Sequence, residues 1–316
     1  MKIFSGTANP ELAREICKDL GIKLGKCKIK KFANDNILVK IEENVREKDV
    51  FVIQPSCVPV NEGLVELLII IDALKHASAR RVTAVLPYYP YVRSDKKDQP
   101  RISITARLVA DLLEAAGTDR LLTMNLHSPQ IQGFFRIPTD HLLAAPILIK
   151  HFKKKKIGNA VVVSPDAGSA KLAESYARKL RLPLAIMDKR RLGDTDKVTI
   201  INIVGDVKGK KAIVFDDEIA TGGSLIETAK TLVKHGATEV CACAVHGVLC
   251  GNAVKKLSES IIKEVVVTNT VRIGKEKMFP KLSVLSVAKL FASAIERIHG
   301  GKSVSDLFSN HLEFAK

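Results

Sequence analysis

The stretch "IVFDDEIATGGSLIETAK", residues Ile213–Lys230, determines how the rest of the chain is interpreted. An apolar run ends in two adjacent carboxylates, Asp216 and Asp217, and a glycine-containing loop follows them. Adjacent acidic side chains repel each other, and glycines weaken the element that contains them. The pattern predicts a strand over 211–215 and a helix near 225–235, and it indicates that a ligand offsets the cost of the acidic pair.

The type of ligand follows from where such a loop lies in an α/β sheet. Ligands bind outside the carboxyl ends of parallel strands. Glycines allow close approach of the backbone, and the first N–H groups of a helix have no partner within the helix, so they attract an anion. Carboxylates suit sugar hydroxyls or a metal ion. We therefore expect a phosphorylated sugar at Asp216–Ser224; the alternative is an ordinary turn with a helix cap.

The same order of apolar strand, loop and amphipathic helix recurs along the chain, which predicts βαβ units on parallel sheets. Helices are expected near 62–76, 102–116, 170–180 and 225–235, and a helical pattern covers 283–299. Apolar strands are expected at 50–55, 81–87, 120–127, 159–166, 182–188, 211–215 and 239–247.

The two halves of the chain resemble each other, which suggests a duplicated α/β domain. Strand, helix and strand over 50–87 mirror strand, helix and strand over 211–247. We expect domains at 1–146 and 147–294, with the tail at 295–316 packing on the first domain.

Composition limits the classes of partner. The 316 residues carry a formal charge of +16, but they include only four Tyr and no Trp for base stacking. Most cations are scattered, and the block Lys153–Lys156 is typical of a solvated face, so we expect small polyanionic ligands and no nucleic acid. No apolar stretch is long enough to suggest a membrane helix. The six cysteines show no metal-binding spacing, which favours a cytoplasmic location.

Several motifs together carry a family resemblance. They are "KIFSGTANPELA" (2–13), "YPYVRSDKK" (89–97), "NLHSPQIQGFF" (125–135), "SPDAGSAK" (164–171) and "MDKRR" (187–191). With the Asp-Asp loop, the chain resembles class I ribose-phosphate diphosphokinases, also called phosphoribosyl pyrophosphate synthetases. The resemblance implies two tandem type I phosphoribosyltransferase-like domains, each a mainly parallel sheet flanked by helices. It implies transfer of the diphosphoryl group of ATP to the 1-hydroxyl of ribose 5-phosphate, giving AMP.

The resemblance also implies roles for individual residues. Ribose 5-phosphate would contact Asp216, Asp217, Ala220, Thr221, Gly222, Gly223 and Ser224. ATP would contact Phe32, Asn34, Asn36, Arg93, Ser94 and His127. His127 and Asp166 would bind Mg²⁺, and Lys189 and Arg191 would stabilise the transferring group, with 192–198 closing over the substrate. Taken alone, these residues have ordinary alternatives: a helix cap for Asp166, a solvated basic turn for Lys189 and Arg191, and a buried ring for Phe32.

The chain departs from the family pattern at four places. The family usually has Phe-Ser-Asp-Gly-Glu where Phe32–Asn36 stands, so two expected carboxylates are amides. Ser94, Asn125 and Ala220 replace a glutamine, an aspartate and a commonly acidic residue. These changes predict altered nucleotide selectivity or metal affinity more than loss of the reaction.

Regulation and assembly are implied by the resemblance alone. Phosphate and ADP would act as effectors at a site that includes Arg101, Gln132, Ser303 and Ser305, for which a merely polar surface is the alternative. The family forms homo-oligomers, with hexamers built from dimers. Two other functions remain open: a non-catalytic regulatory paralogue that assembles with an active subunit, and a phosphoribosyltransferase.

Overall fold

The computed structural model describes residues 1–155, 157–191 and 198–309, with side chains described outside 189–201 and 308–309. Within these residues the chain forms two compact units. The first unit comprises Met1–Leu143, Thr270–Arg272 and the segment that begins at Ser286, and the second comprises Ala144–Asn269 and Ile273–Leu285. The predicted domain boundaries, after residues 146 and 294, stay predictions.

A five-stranded parallel sheet lies at the centre of the first unit. Its strands, numbered along the whole chain, are β1 (Lys2–Ser5), β4 (Asp49–Ile53), β5 (Arg81–Leu86), β6 (Arg120–Met124) and β7 (Thr139–Leu142), in that spatial order. All five residues of β4 are buried, as expected for a parallel strand covered on both faces. Strands β2 (Cys27–Lys31) and β3 (Ile37–Ile41) form a separate antiparallel hairpin.

The helices of the first unit include one formed near the C-terminus. They are α1 (Pro10–Asp19), α2 (Val60–His76), α3 (Thr105–Ala115), α8 (Ala288–His299) and the short α9 (Asp306–Ser309), with a 3-10 turn at Pro129–Phe134. Helix α1 begins with proline, and the Asn9 side chain accepts the amide of Leu12 at 3.3 Å. Both features satisfy or remove donors that a helix start leaves unpaired.

A seven-stranded sheet lies at the centre of the second unit. In spatial order its strands are β10 (Val198–Val204), β9 (Leu184–Arg191), β8 (Ala160–Ser164), β11 (Lys211–Ile219), β12 (Glu239–Gly247), β13 (Glu264–Thr268) and β14 (Leu282–Leu285). Neighbouring strands are parallel except β9 and β10 at one edge. The helices are α4 (Ala145–Lys154), α5 (Ala170–Leu180), α6 (Gly223–Lys234) and α7 (Ala253–Glu259).

These two sheets confirm the predicted fold class, and helix α5 has the predicted bounds. Two local predictions were wrong. Strand β11 does not end at Phe215 but continues to Ile219, because Glu218 and Ile219 pair with His246 and Gly247 of β12. The helical pattern over 283–299 includes strand β14, and the helix starts only at Ala288, whose amide donates to the Ser286 hydroxyl at 3.2 Å.

An aromatic cluster fixes the strand that carries the acidic pair. The Phe215 ring, which immediately precedes Asp216, stacks on Tyr176 with ring centroids 4.0 Å apart. Phe152 meets Phe215 edge-on at 5.5 Å. All three rings are buried, and such aromatic pairs contribute about 0.5–1.5 kcal/mol beyond the burial of their area. The carboxyl-terminal half of β11 therefore extends from a rigid anchor.

A buried ion pair links helix α8 to the sheet of the first unit. Asp49, whose side chain is 1% exposed, accepts Arg81 Nε at 2.8 Å, and its second oxygen lies 2.8 Å from His299 Nδ1. The same guanidinium donates to the Ile298 carbonyl at 3.0 Å. Burial opposes ionisation of Asp49, but hydrogen bonds from Arg81 and His299 outweigh it, so the pKa of this carboxyl lies below its usual range.

Asp49→Asn should destabilise the first unit at neutral pH by about 2–4 kcal/mol, because it leaves Arg81 without its buried counter-charge. A lowered folded-state pKa stabilises the fold above the unfolded-state value of about 4 and stops doing so as the pH falls through the folded value. The difference between variant and wild type should therefore shrink below pH 4. Thermal unfolding at pH 3 to 8 measures this, with the exposed Asp72→Asn on α2 as control. An effect of equal size at every pH would contradict the assignment.

Candidate functional site

The acidic pair lies within the carboxyl-terminal half of β11, between the parallel neighbours β8 and β12. Both carboxylates are partly buried. The Asp217 amide donates to Asp216 Oδ1 at 2.9 Å, and the Glu218 amide donates to Asp217 Oδ1 at 2.9 Å. Each carboxylate is therefore held in place by the next peptide group along the strand.

The environment of Asp216 disfavours its charge. Burial away from water raises the pKa of Asp216 to about 8, and the nearby charges of Asp217 and Asp166 add to the increase. The acidic pair therefore retains a proton to higher pH than an isolated aspartate does. A cation or a hydrogen-bond donor that approached the pair would favour the ionised form.

The loop after β11 presents main-chain donors at a helix start. Gly222 has φ +74°, in the left-handed region that favours glycine, and a Cβ there would lie 3.2 Å from Leu257 Cγ. Helix α6 begins at Gly223, where an added Cβ would meet nothing within 4 Å. Thr221 and Ser224 on either side are exposed. Unpaired amides at an open helix N-terminus are suited to bind a phosphate.

Asp166 follows the neighbouring strand β8. Its Oδ1 accepts the Ser169 amide at 2.8 Å, which closes the turn that leads into α5; Ser169 is the N-cap residue of that helix, and its side chain makes no capping hydrogen bond. The Ser164 hydroxyl donates to the Asp166 carbonyl at 2.7 Å and fixes the turn. Because β8 and β11 are adjacent and parallel, Asp166 lies at the same sheet edge as the acidic pair, and its charge contributes to the raised pKa of Asp216.

Among the residues that the structure describes, no group of three or more His, Cys, Asp or Glu side chains could hold a metal ion. The carboxylate oxygens of Asp166, Asp216 and Asp217 are nevertheless hard donors of the kind that Mg²⁺ prefers. Mg²⁺ characteristically takes only one or two protein carboxylates and completes its octahedral shell with water and substrate phosphate. This donor set therefore fits a metal that arrives with a phosphorylated ligand.

In the first unit, Phe32 lies at the tip of the β2–β3 hairpin. Its ring is 43% exposed, and Lys30 Nζ lies 5.3 Å from the ring centroid. The Asn34 side chain accepts the Asn36 amide at 3.3 Å, while the Phe32 amide donates to the Asn36 carbonyl at 2.8 Å. The alternative of a buried Phe32 is therefore wrong, and the exposed ring is available for stacking.

Arg93 and His127 occupy loops at the carboxyl ends of the adjacent strands β5 and β6, and both side chains are exposed. The loop that carries Arg93 is fixed by main-chain bonds of Ser94, whose amide donates to Tyr91 O at 2.9 Å. Asn125 is buried with φ +43° and turns the chain just before His127. The fold thus brings these two loops to one edge of the first sheet.

For the predicted transition-state cations and the predicted effector residues, the structure gives the position in the chain but few side-chain contacts. Lys189 and Arg191 belong to strand β9, but their side chains, like the whole of 192–197, lie outside the described residues. Arg101, Ser303 and Ser305 are exposed, and Gln132 donates to the Pro129 carbonyl at 2.9 Å. All four proposed effector residues belong to the first unit.

Sequence reasoning missed a buried polar network at the carboxyl edge of the first sheet. Glu66, 2% exposed, accepts the Thr7 amide at 2.7 Å, the Thr7 hydroxyl at 2.8 Å and Gln54 Nε2 at 2.7 Å. The Gln54 side-chain oxygen accepts the Ala8 amide at 3.0 Å. A lone carboxylate within the apolar run "LVELLII" was the available signal.

No helix in the described part of the chain is long and apolar enough to cross a membrane.

Comparison with known proteins gives matches over nearly the whole chain. Residues 1–117 match the N-terminal domain of ribose phosphate pyrophosphokinase, and residues 192–309 match the phosphoribosyl synthetase-associated domain. The ribose-phosphate pyrophosphokinase of Caldanaerobacter subterraneus subsp. tengcongensis is 55% identical over 310 residues, which is 98% of each chain. That of Deinococcus radiodurans is 51% identical over 312 residues, 97% of each chain. The crystal structure of phosphoribosylpyrophosphate synthetase from Mycobacterium smegmatis is 44% identical with a TM-score of 0.90, covering 95% of this chain and 99% of that chain.

Asp216→Asn should stabilise the protein without ligands at pH 9. Because the folded-state pKa of Asp216 is about 8, the unfolded chain loses this proton first as the pH rises above about 4, and the wild type becomes less stable across that interval. The variant has no such proton, and its advantage should reach at least about 1.4 kcal/mol, the value of one pKa unit.

Thermal unfolding at pH 5 and pH 9, without divalent metal or phosphate, measures this difference. Glu174→Gln, at an exposed position on α5, is the control and should change stability equally little at both values. If Asp216→Asn were no more stable relative to wild type at pH 9 than at pH 5, the proposed burial of the charge would be wrong.

Proposed function

The chain belongs to the ribose-phosphate pyrophosphokinase family, and on that premise we propose how its residues carry out the reaction. The enzyme transfers the diphosphoryl group of ATP to the 1-hydroxyl of ribose 5-phosphate, giving 5-phosphoribosyl 1-diphosphate and AMP for nucleotide biosynthesis. The single observation that carries the site assignment is the partly buried Asp216–Asp217 pair, followed by the start of helix α6 at Gly223.

Ribose 5-phosphate fits this loop in one orientation. The 5-phosphate accepts the amides around Thr221–Ser224, where the helix dipole and the exposed hydroxyls favour an anion. The ribose hydroxyls then donate to Asp216 and Asp217. Ala220 belongs to the same loop and contributes its backbone. Burial and then repulsion from Asp217 raise the pKa of Asp216, and a ligand hydroxyl or cation beside the pair would offset both effects.

A metal cofactor follows from the ATP-dependent reaction of the family, and we propose Mg²⁺. His127 and Asp166 are the residues proposed to contribute ligands, with phosphate and ribose oxygens. When bound, the ion supplies charge stabilisation on the phosphate oxygens. The Ser169 amide fixes Asp166 Oδ1, which orients the carboxylate before any ligand arrives.

ATP is assigned to the carboxyl-edge loops and the hairpin of the first unit. The exposed Phe32 ring offers a face for adenine, while Asn34 and Asn36 supply amide donors and acceptors to the base. Arg93 neutralises phosphate charge. The hydrogen bond from the Ser94 amide to the Tyr91 carbonyl holds the loop that carries Arg93. Since both Asn34 and Asn36 present amides instead of carboxylates, we infer that base selectivity is altered.

Lys189 and Arg191 are proposed to stabilise the charge that develops on the transferring diphosphoryl group. Phosphoryl transfer depends mostly on positioning and on electrostatic stabilisation of the phosphate oxygens. Their backbone positions lie on β9, which pairs in parallel with β8, the strand that Asp166 follows.

Regulation, assembly and location complete the proposal. Phosphate and ADP are proposed effectors at Arg101, Gln132, Ser303 and Ser305. The enzyme is proposed to act in the cytoplasm as a homo-oligomer, a hexamer built from dimers. No observation favours the regulatory-paralogue alternative over the active enzyme.

One assay tests the proposed function against the alternatives. Purified protein is mixed with ATP, ribose 5-phosphate and Mg²⁺ in phosphate buffer, and AMP and 5-phosphoribosyl 1-diphosphate are followed by ³¹P NMR. We expect both products in equal amounts. Absence of AMP, under conditions where a known active relative produces it, would support the regulatory paralogue. Replacing ATP with GTP or CTP tests base selectivity, and an undiminished preference for ATP would overturn the inference from Asn34 and Asn36.

Lys189→Ala should reduce kcat by roughly 10³-fold, with little change in the KM for ribose 5-phosphate, because a cation that acts on the transition state is lost. Lys171→Ala, which removes an exposed lysine of α5 in the same unit, is the matched control and should keep wild-type kcat. A kcat within threefold of wild type for Lys189→Ala would remove this residue from the catalytic assignment.

A further inference from the structure

The loop that binds the 5-phosphate is held from behind by the segment Val248–Asn252, which follows β12. The Leu249 amide donates to the Ile219 carbonyl at 3.0 Å, and the Cys250 amide donates to the Ala220 carbonyl at 3.0 Å. These two bonds extend the β11–β12 ladder past its last registered pair, Ile219 and Gly247. The last two residues before Thr221 are thus each held by a main-chain hydrogen bond from this segment.

This supporting segment is itself under backbone strain. Leu249 has φ +48°, in the left-handed region that a leucine rarely adopts, and its side chain is 2% exposed. Such a conformation persists only where surrounding contacts hold it, and it occurs preferentially near functional sites. Something close to Leu249 must therefore fix the neighbouring peptide groups.

Lys277 provides that contact. Its Nζ donates to the Val248 carbonyl at 2.7 Å, directly before the strained residue. Lys277 is partly buried and ends the 3-10 turn Lys275–Lys277 between β13 and β14. On the side of β12 that faces β13, the last registered pair is His246 with Thr268. Val248 lies two residues beyond that pair. A charged side chain thus holds the peptide group just past the end of the ladder.

We propose that Lys277 is a positioning residue for ribose 5-phosphate. It acts through the Val248 carbonyl and the Leu249 and Cys250 amides on the carbonyls of Ile219 and Ala220, without touching the substrate. Loss of the ammonium group releases Leu249 from its strained conformation. It thereby weakens the hydrogen bonds that the Leu249 and Cys250 amides donate to Ile219 and Ala220. Part of the binding free energy is then used to order the phosphate loop, so the affinity for ribose 5-phosphate falls. This inference rests on the proposed ribose 5-phosphate site.

The test compares Lys277→Met, Lys277→Arg and the matched control Lys275→Met, which removes an exposed ammonium from the same turn. Ribose 5-phosphate is titrated calorimetrically into each protein without ATP, and steady-state KM values are measured for both substrates. For Lys277→Met we expect about a tenfold weaker affinity for ribose 5-phosphate, the loss of one charge-assisted hydrogen bond. The KM for ATP should change by less than about twofold, whereas Lys277→Arg should restore most of the affinity.

Three results would overturn the inference: unchanged ribose 5-phosphate affinity in Lys277→Met, an equal rise in both KM values, or an equal effect of Lys275→Met. If Lys277→Met does not fold, Lys277→Gln replaces it, and equal affinities of the Arg and Gln variants would be the negative result. The wild-type titration separates the two levels of the hypothesis. Lack of wild-type binding defeats the proposed site, whereas normal wild-type binding with an unaffected variant defeats only the role of Lys277.

Discussion

The second unit depends on keeping two adjacent carboxylates at the end of a buried strand. Two unit charges about 4 Å apart repel by roughly 4 kcal/mol at an effective dielectric constant of 20. The chain reduces this cost by retaining a proton on the pair and by directing the amides of Asp217 and Glu218 at the carboxylate oxygens. A cation or hydrogen-bond donor beside the pair would favour its ionised form at neutral pH, where burial in the free protein disfavours it.

The first unit shows the same framework without that constraint. The spatial orders β1-β4-β5-β6-β7 and β8-β11-β12-β13-β14 correspond strand for strand. Strand β4 of the first unit corresponds to β11 of the second. The first registered pair of β4 is Asp49 with Arg81, and that of β11 is Lys211 with Glu239, so counting along both strands aligns Gln54 with Asp216. Gln54 is neutral, and it bonds to the buried Glu66, to Gly63 and to the loop at Ala8. In the first unit, the polar side chain at this strand position bonds to groups of the protein. In the second unit, we propose that the corresponding carboxylate bonds to a ligand.

The sequence was sufficient for the fold class and for the acidic loop, because apolar period and glycine position are local properties. The sequence did not predict the bounds of strands that are determined by pairing with residues far away in the chain. Charged residues usually end a strand, yet β11 runs through Asp216–Glu218 since His246 and Gly247 supply a ladder. The Leu282–Leu285 run suits either period, and only its place beside β13 makes it a strand. The supporting bonds to Ile219 and Ala220 come from residues about thirty positions away and leave no local pattern.

Main-chain atoms also hold the position of Ala220, directly before Thr221 and the two glycines. The Ala220 carbonyl accepts the Cys250 amide, so its contribution to loop position does not require a side chain. Gly222 and Gly223 act through conformation and open space, and Thr221 and Ser224 are exposed around a helix start. In the proposed site, a phosphate bound by amides and a helix dipole would depend on backbone geometry, and the ribose would depend on Asp216 and Asp217. Changing residue 220 therefore alters the charge near the site while the receptor for phosphate stays intact.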